Sequence, residues 1–166
     1  AVNTVFLMVG TVEPRKGYAQ ALDAFELLWK KDLPVHLVIV GKGGWNVDAL
    51  IARLRIHPEL NKRLHWLEGV SDEYLQKIYT NSTALLAASQ AEGFGLPLIE
   101  AAQYGLPIIA RGLPVFKEVA GKHAYYFDGV GARTLAGAIK TWLDLNKNNK
   151  APSSKGIKWL TWAESS

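Results

Sequence analysis

Thr4–Lys31 reads TVFLMVGTVEPRKGYAQALDAFELLWKK. Thr4–Val9 is a strand-length apolar run rich in β-branched residues. It enters a loop, Gly10–Gly17 (GTVEPRKG), that carries glycine, proline and two adjacent cations. From about Gly17 to Lys31 the apolar residues Ala21, Leu22, Phe25, Leu28 and Trp29 recur at helical spacing. The order is therefore strand, loop, amphipathic helix, and it repeats along the chain. Further strands are expected at Val35–Val40, Leu64–Leu67, Ala84–Ala88, Pro107–Ala110 and Ala124–Phe127. Helices are expected at about Val47–Ile56 with Asn46 as N-cap, from Ser71 or Asp72 through Tyr79, from near Pro97, around Pro114–Val119, and over Ala132–Asn146. Short apolar strands alternating with helices predict an α/β, Rossmann-like, doubly wound parallel sheet of about six strands covered on both faces.

The chain has 166 residues, the size of one domain, and 49% of them are hydrophobic, which excludes a disordered polypeptide. It contains no cysteine, which excludes disulfide scaffolds, thiolate zinc sites and cysteine nucleophiles and suits a reducing, cytoplasmic setting. The net charge of +4 comes from scattered residues, so an anionic ligand is compatible and nucleic acid is not expected. No apolar run reaches the length of a membrane span. Residues 1–150 are expected to form the domain. The polar stretch Asn146–Gly156 reads as a loop or linker, so residues 151–166 become a linker and, with Trp159, Leu160 and Trp162, the start of a helix that packs elsewhere. A core strand lies within a few residues of the non-methionine start, as expected for a piece of a longer protein.

Three loops that follow strands carry the chemistry: Gly10–Gly17, Gly41–Trp45 (GKGGW) and Ala91–Glu100 (AEGFGLPLIE). In the last, Gly93 and Gly95 permit close backbone approach, and Pro97 suits the first turn of a helix whose N-terminus attracts an anion. The plainer reading is a strand-to-helix turn with glycines for packing. Glu92 and Glu100 should stand roughly 10 Å apart, from the ~1.5 Å rise per helical residue. That is too far for a nucleophile and acid pair on one bond, and it suits two acceptors gripping an elongated ligand. Glu92 as a solvated loop charge and Glu100 as a helix-dipole partner are the alternatives. Arg15 and Lys16 oppose a helix dipole, a conflict that a bound phosphate removes, with Thr11 adding its hydroxyl. Two merely exposed charges are the plain reading there.

The histidines His36, His57, His65 and His123 show no metal-ligand spacing, and no metal is expected. His36 is expected at a core or edge position, and Trp66 and Trp142 in the core. Trp45 is either a packing lid or the wall of a base site. No GxGxxG follows the first strand and no GxxxxGK[ST] occurs, which disfavours dinucleotide dehydrogenases and P-loop NTPases.

AEGFGLPLIEA closely resembles the motif of two glutamates separated by seven residues in the retaining GT-B glycosyltransferases of family four. GTVEPRKG resembles that family's first phosphate loop, and LVIVGKGGW its second-strand turn; order and spacing match along essentially the whole chain. The resemblance implies the C-terminal, nucleotide-sugar-binding half of a two-domain transferase, with a metal-free mechanism. Carried over, Lys16 and Arg15 would bind the diphosphate together with the Gly95 and Leu96 amides, in a loop that includes Gly93 and Phe94. Glu92 would accept from the donor sugar and Glu100 from the ribose. Gly43, Gly44 and Val70 would line the base. Many relatives carry Gly-Arg where this chain has Gly10-Thr11, which shifts more of the diphosphate charge to Arg15 and Lys16.

The implied activity is hexosyl transfer in polysaccharide or lipopolysaccharide synthesis, from a GDP- or UDP-linked donor to a glycan or lipid-linked acceptor, with the EPRKG wording tilting towards GDP-mannose. A missing N-terminal half would supply the acceptor site and any peripheral contact with the inner face of the membrane, leaving this half inactive alone. A nucleoside-diphosphate-binding module without transfer, and a glucan or sugar-phosphate synthase of the same fold, are the competing readings.

Overall fold

The computed structural model describes residues 3–157. Six strands, β1 (Thr4–Val9), β2 (Val35–Val40), β3 (Leu64–Leu67), β4 (Ala84–Ala87), β5 (Ile108–Arg111) and β6 (Tyr125–Phe127), form one sheet in the order β3-β2-β1-β4-β5-β6. All neighbours pair in parallel. The helices are α1 (Tyr18–Lys30), α2 (Asp48–Arg55), α3 (Asp72–Asn81), α4 (Leu96–Gln103), α5 (Pro114–Ala120) and α6 (Ala132–Lys147).

A parallel strand must be followed by a crossover, and right-handed crossovers leave successive helices on one face while the strand order runs in one direction. The direction reverses between β1 and β4, so the face changes there. One core joins α1, Leu54 of α2 and the apolar stripe of α6 to the sheet; Phe6 sits in it edge-on to Phe25 and Trp142, each at 5.6 Å between ring centroids. The other core gathers Tyr79 of α3, Leu98 and Ala101 of α4 and Phe116 of α5 against Leu7, Leu85 and Ile108. Burial on both faces explains why β4 and β5 are buried at every residue instead of alternating.

Two local expectations change. Asn46 does not cap α2: the cap position is Val47, and Asn46 takes the left-handed conformation at φ 59°. Asparagine tolerates that conformation, and here it serves to turn the chain out of the glycine loop. Trp66 is half-buried, not core; its indole N–H donates to the Gly41 carbonyl at 2.8 Å and the Arg55 guanidinium lies 5.0 Å over its ring. Trp142 is fully buried, as expected. His36 is half-buried on β2 and stacks on His65 of the edge strand β3.

The polar stretch Asn146–Gly156 does not hang free. Ser154 is fully buried and Ile157 enters the second core. Gly156 lies flat on His123, where an added Cβ would meet the imidazole at 2.1 Å. One glycine and one isoleucine thus dock a segment whose composition reads as solvent-exposed. The expected helix start at Trp159–Trp162 lies outside the described residues.

Ser71 caps α3, its Oγ accepting from the Tyr74 N–H at 3.1 Å. Ser71→Ala is expected to cost about 1 kcal/mol in a urea titration, the usual worth of such a cap; an unchanged midpoint would show that the turn, not the hydroxyl, starts this helix.

Candidate functional site: a closed ion pair at the strand reversal

The reversal between β1 and β4 is where a doubly wound sheet opens a crevice at its carboxyl edge. The loops after β1, β2 and β4 meet there. The first two are zipped together: Val12 N–H donates to Lys42 O at 2.8 Å and Gly44 N–H to Val12 O at 3.0 Å. A Cβ on Gly44 would stand 2.9 Å from the Val12 carbonyl oxygen, so this glycine is required by packing. At Gly43 an added Cβ would meet the movable end of Ile51, and its N–H donates to the Glu68 carboxylate at 3.3 Å. Thr11 lies beside Gly44 at the same junction. Val70, half-buried, follows β3 and packs against the second core.

Pro14–Lys16 forms a single 3-10 turn, and Gly17 at φ 77° begins α1. This turn leans on the loop after β4: Gln90 N–H donates to the Arg15 carbonyl at 2.7 Å. Lys16 therefore reaches Glu92, Nζ donating to Oε1 at 2.6 Å, and the Ser89 hydroxyl donates to the same oxygen at 3.0 Å. The Glu92 side chain is 12% exposed. A half-buried, doubly bonded carboxylate is not the solvated loop charge of the plain reading. Arg15 remains exposed.

With Lys16 and Glu92 closed on each other, the cleft between Tyr18, Ser89 and Pro97 holds about 10 Å³, room for one water. A ligand entering here must part the pair. Tyr18 forms the wall and donates to the Gly10 carbonyl at 2.7 Å. Burial, with the carboxylates of Glu13 and Glu92 nearby, holds its phenol well above the usual tyrosine range, so it stays a donor.

Gly95, at φ 70°, is the N-cap of α4, and its α-carbon faces Val119 closely. That glycine has a structural reason. Gly93 has none: nothing lies within 4 Å of an added Cβ. The first turn of α4, beginning at Leu96, presents its positive dipole end; Pro97 has no N–H, and the Leu98 and Ile99 N–H groups donate to the Gly95 carbonyl at 3.1 and 3.4 Å. Phe94 and Trp45 are 78% and 77% exposed, and Leu96 is exposed as well. Trp45 is thus not a packing lid on this domain.

Glu100 is exposed on α4. The Tyr79 hydroxyl donates to its Oε2 at 3.1 Å, and Tyr79 stacks on Tyr104 with centroids 4.7 Å apart. These residues border a groove of about 280 Å³ that Asp72, Leu75 and Gln103 complete. Burial first, and the Glu100 charge second, hold the Tyr79 phenol protonated. The two glutamates thus serve two separate neighbourhoods. Among the described residues, no cluster of His, Asp or Glu could hold a metal ion.

Sequence reasoning did not find Ser89, Tyr79 or Arg111. Arg111 had a signal, a charge closing the apolar run Ile108–Ala110. Ser89 and Tyr79 had none, because their roles depend on partners in other elements.

A family model described as Glycosyl transferases group 1 matches residues 3–159. The chain is 57% identical over 160 residues to a serotype-specific mannosyltransferase WbdA from Escherichia coli, covering 96% of this chain and 20% of that protein. It is 33% identical to the O-antigen chain mannosyltransferase B of Escherichia coli, covering 94% of this chain and 42% of that one. The chain therefore spans 20% and 42% of the length of these two curated relatives. Among solved structures, the C-terminal domain of a glycosyl transferase group 1 family protein (LpcC) from Francisella tularensis superposes with a TM-score of 0.76 at 18% identity, covering 89% of this chain and 79% of that one. HepE from Anabaena, in complex with UDP and glucose, gives 0.75 at 20% identity, with 91% and 41% covered. At these identities the structural likeness shows the fold, a Rossmann-like domain matching GT-B C-terminal domains.

Proposed function

The chain belongs to the glycosyl transferases group 1, with a GT-B fold, and on that premise we propose that it is the donor-binding half of a retaining hexosyltransferase. The observation that carries the reading is the Lys16–Glu92–Ser89 cluster beside the α4 N-terminus at the strand reversal. An ammonium and a helix N-terminus facing one small cleft form a site for the diphosphate of a nucleotide sugar. Lys16, helped by the exposed Arg15 and the Gly95 and Leu96 amides, takes the phosphates. The charge that develops on the departing diphosphate is stabilised by groups already in place, without a metal.

Capture of Lys16 by the phosphates releases Glu92, which then accepts from the sugar hydroxyls. Glu100, oriented by Tyr79, holds the ribose; Gly43, Gly44 and Val70 line the base, and Gly93 and Phe94 complete the loop over the donor. Mannose is the favoured sugar, because both curated relatives described above are named mannosyltransferases. Their names also support a place in O-antigen or related polysaccharide synthesis. The acceptor, a glycan or lipid-linked glycan, belongs to a further domain, so these residues alone do not transfer sugar. No described helix is long and apolar enough to cross a membrane; the work is assigned to the cytoplasm, with any contact at the inner membrane face made by other parts of the protein.

Calorimetry of the chain with GDP, UDP and ADP in the presence of EDTA tests the reading. GDP is expected to bind best, EDTA is expected to change nothing, and Glu100→Gln is expected to weaken nucleoside-diphosphate binding several-fold through lost ribose contacts. No binding of any nucleoside diphosphate at millimolar concentration would overturn the proposal. An unchanged affinity in Glu100→Gln would remove that residue from the site.

A further inference from the structure

Arg111 ends β5, is 7% exposed, and forms no ion pair among the described residues. Buried guanidinium groups are ordinarily met by carboxylates, because the desolvation of an unpaired charge is costly. Here the partners are main-chain carbonyls and one amide. Nε–H donates to Ser89 O at 3.1 Å, an Nη2–H to Ala88 O at 3.1 Å, and Nη1–H to Gly129 O. Nη2 also donates to the Gln20 side-chain oxygen, and the guanidinium lies 4.9 Å over the Phe127 ring. Gln20 in turn donates to Gly129 O and Gly131 O, both at 3.1 Å.

One side chain therefore ties α1, the loop after β4, the end of β5 and the loop after β6. All are segments at the carboxyl edge of the sheet. Two of the carbonyls it holds, those of Ala88 and Ser89, belong to residues that line the candidate cleft. Around the same residues, Gly17 packs against Ala88 O, Gln90 N–H bonds the Arg15 carbonyl, and the Ser89 hydroxyl bonds Glu92. Glu92 bonds Lys16.

We propose that Arg111 is a positioning residue that holds the Ala88–Glu92 loop in its anion-binding form by clamping the Ala88 and Ser89 carbonyls. The assignment of an anion to this loop rests on the function proposed above; the clamp itself does not. Several donors in a planar fork are needed to hold carbonyls from separate loops at once. A lysine presents its donors from a single point and cannot span them. The guanidinium keeps its charge although burial opposes it, and the nearby Asp128 carboxylate favours the charged form.

The test compares Arg111→Met and Arg111→Lys in the chain by hydrogen exchange and by titration with inorganic pyrophosphate. In Arg111→Met the Gln90 amide, bonded across to Arg15, is expected to exchange at least tenfold faster, while amides in the middle of α3 keep their rates. Pyrophosphate affinity is expected to fall about tenfold, with Arg111→Lys recovering part of both losses. A residue that only stabilises the fold would speed exchange throughout and leave the loop no worse than α3; that result overturns the proposal. So does unchanged Gln90 exchange in a folded Arg111→Met. If that variant fails to fold, Gln20→Leu removes one support of the same clamp, and a selective rise in Gln90 exchange is again required. Failure of the unaltered chain to bind pyrophosphate would count against the donor site, and Gln90 exchange would still decide the clamp.

Discussion

Gly17→Ala is expected to lose about 3 kcal/mol or more of folding stability, from the left-handed backbone and the overpacking together. Gly17 sits at φ 77°, and a Cβ there would stand 2.1 Å from the Ala88 carbonyl oxygen. That oxygen is already held by the Arg111 guanidinium, which donates to it at 3.1 Å. The added methyl must therefore push the Arg15–Lys16 turn off the loop after β4. Guanidinium chloride unfolding measures the loss, and what remains folded should bind nucleoside diphosphate poorly. Gly93→Ala is the matched control. Its Cβ meets nothing within 4 Å, so stability should stay within about 0.5 kcal/mol of the unaltered chain. If Gly17→Ala is as stable as Gly93→Ala, the contact between the two loops is not as tight as the geometry requires.

Lys16→Ala is expected to weaken nucleoside-diphosphate binding by about 1.5–3 kcal/mol, the range for a charged hydrogen bond. An exposed lysine would leave unliganded stability untouched. The structure changes that expectation, because Lys16 is 26% exposed and bonded to a Glu92 side chain that is 12% exposed. A fall of roughly 0.5–1 kcal/mol is expected instead, held down because Ser89 still serves the carboxylate. Glu92→Gln should act in the opposite direction on the nucleotide alone. Removing the charge that occupies Lys16 and repels phosphate should tighten nucleoside-diphosphate binding severalfold, while the sugar-bearing donor loses the contact that Glu92 gives to its hydroxyls. Weaker binding of both ligands in Glu92→Gln would mean that the ion pair organises the site and does not guard it.

The short-range content of the chain was readable without any structure. Apolar run length and the 3.6-residue period are local, so β1, β2 and β3 fall where the apolar runs place them, and α6 differs from its expected range by one residue. The loops that carry Lys16, Glu92 and the α4 N-terminus follow from glycine and proline chemistry within a few residues of each. Composition also excluded thiol chemistry before any contact was known.

What the sequence left open is who meets whom. Lys16 and Glu92 stand 76 residues apart, Arg111 and Ser89 22 apart, and Tyr79 and Glu100 21 apart. These meetings depend on strand order, because β4 pairs with β1 and not with β3. That choice brings two distant loops onto one edge. Hydrogen-bond partners are then selected at distances of about 3 Å, a precision that no periodicity carries. For the same reason Arg111 reads in sequence as a charge at a strand end, and Ser154 as part of a polar tail. Burial by other elements makes the first a clamp and the second a docked segment.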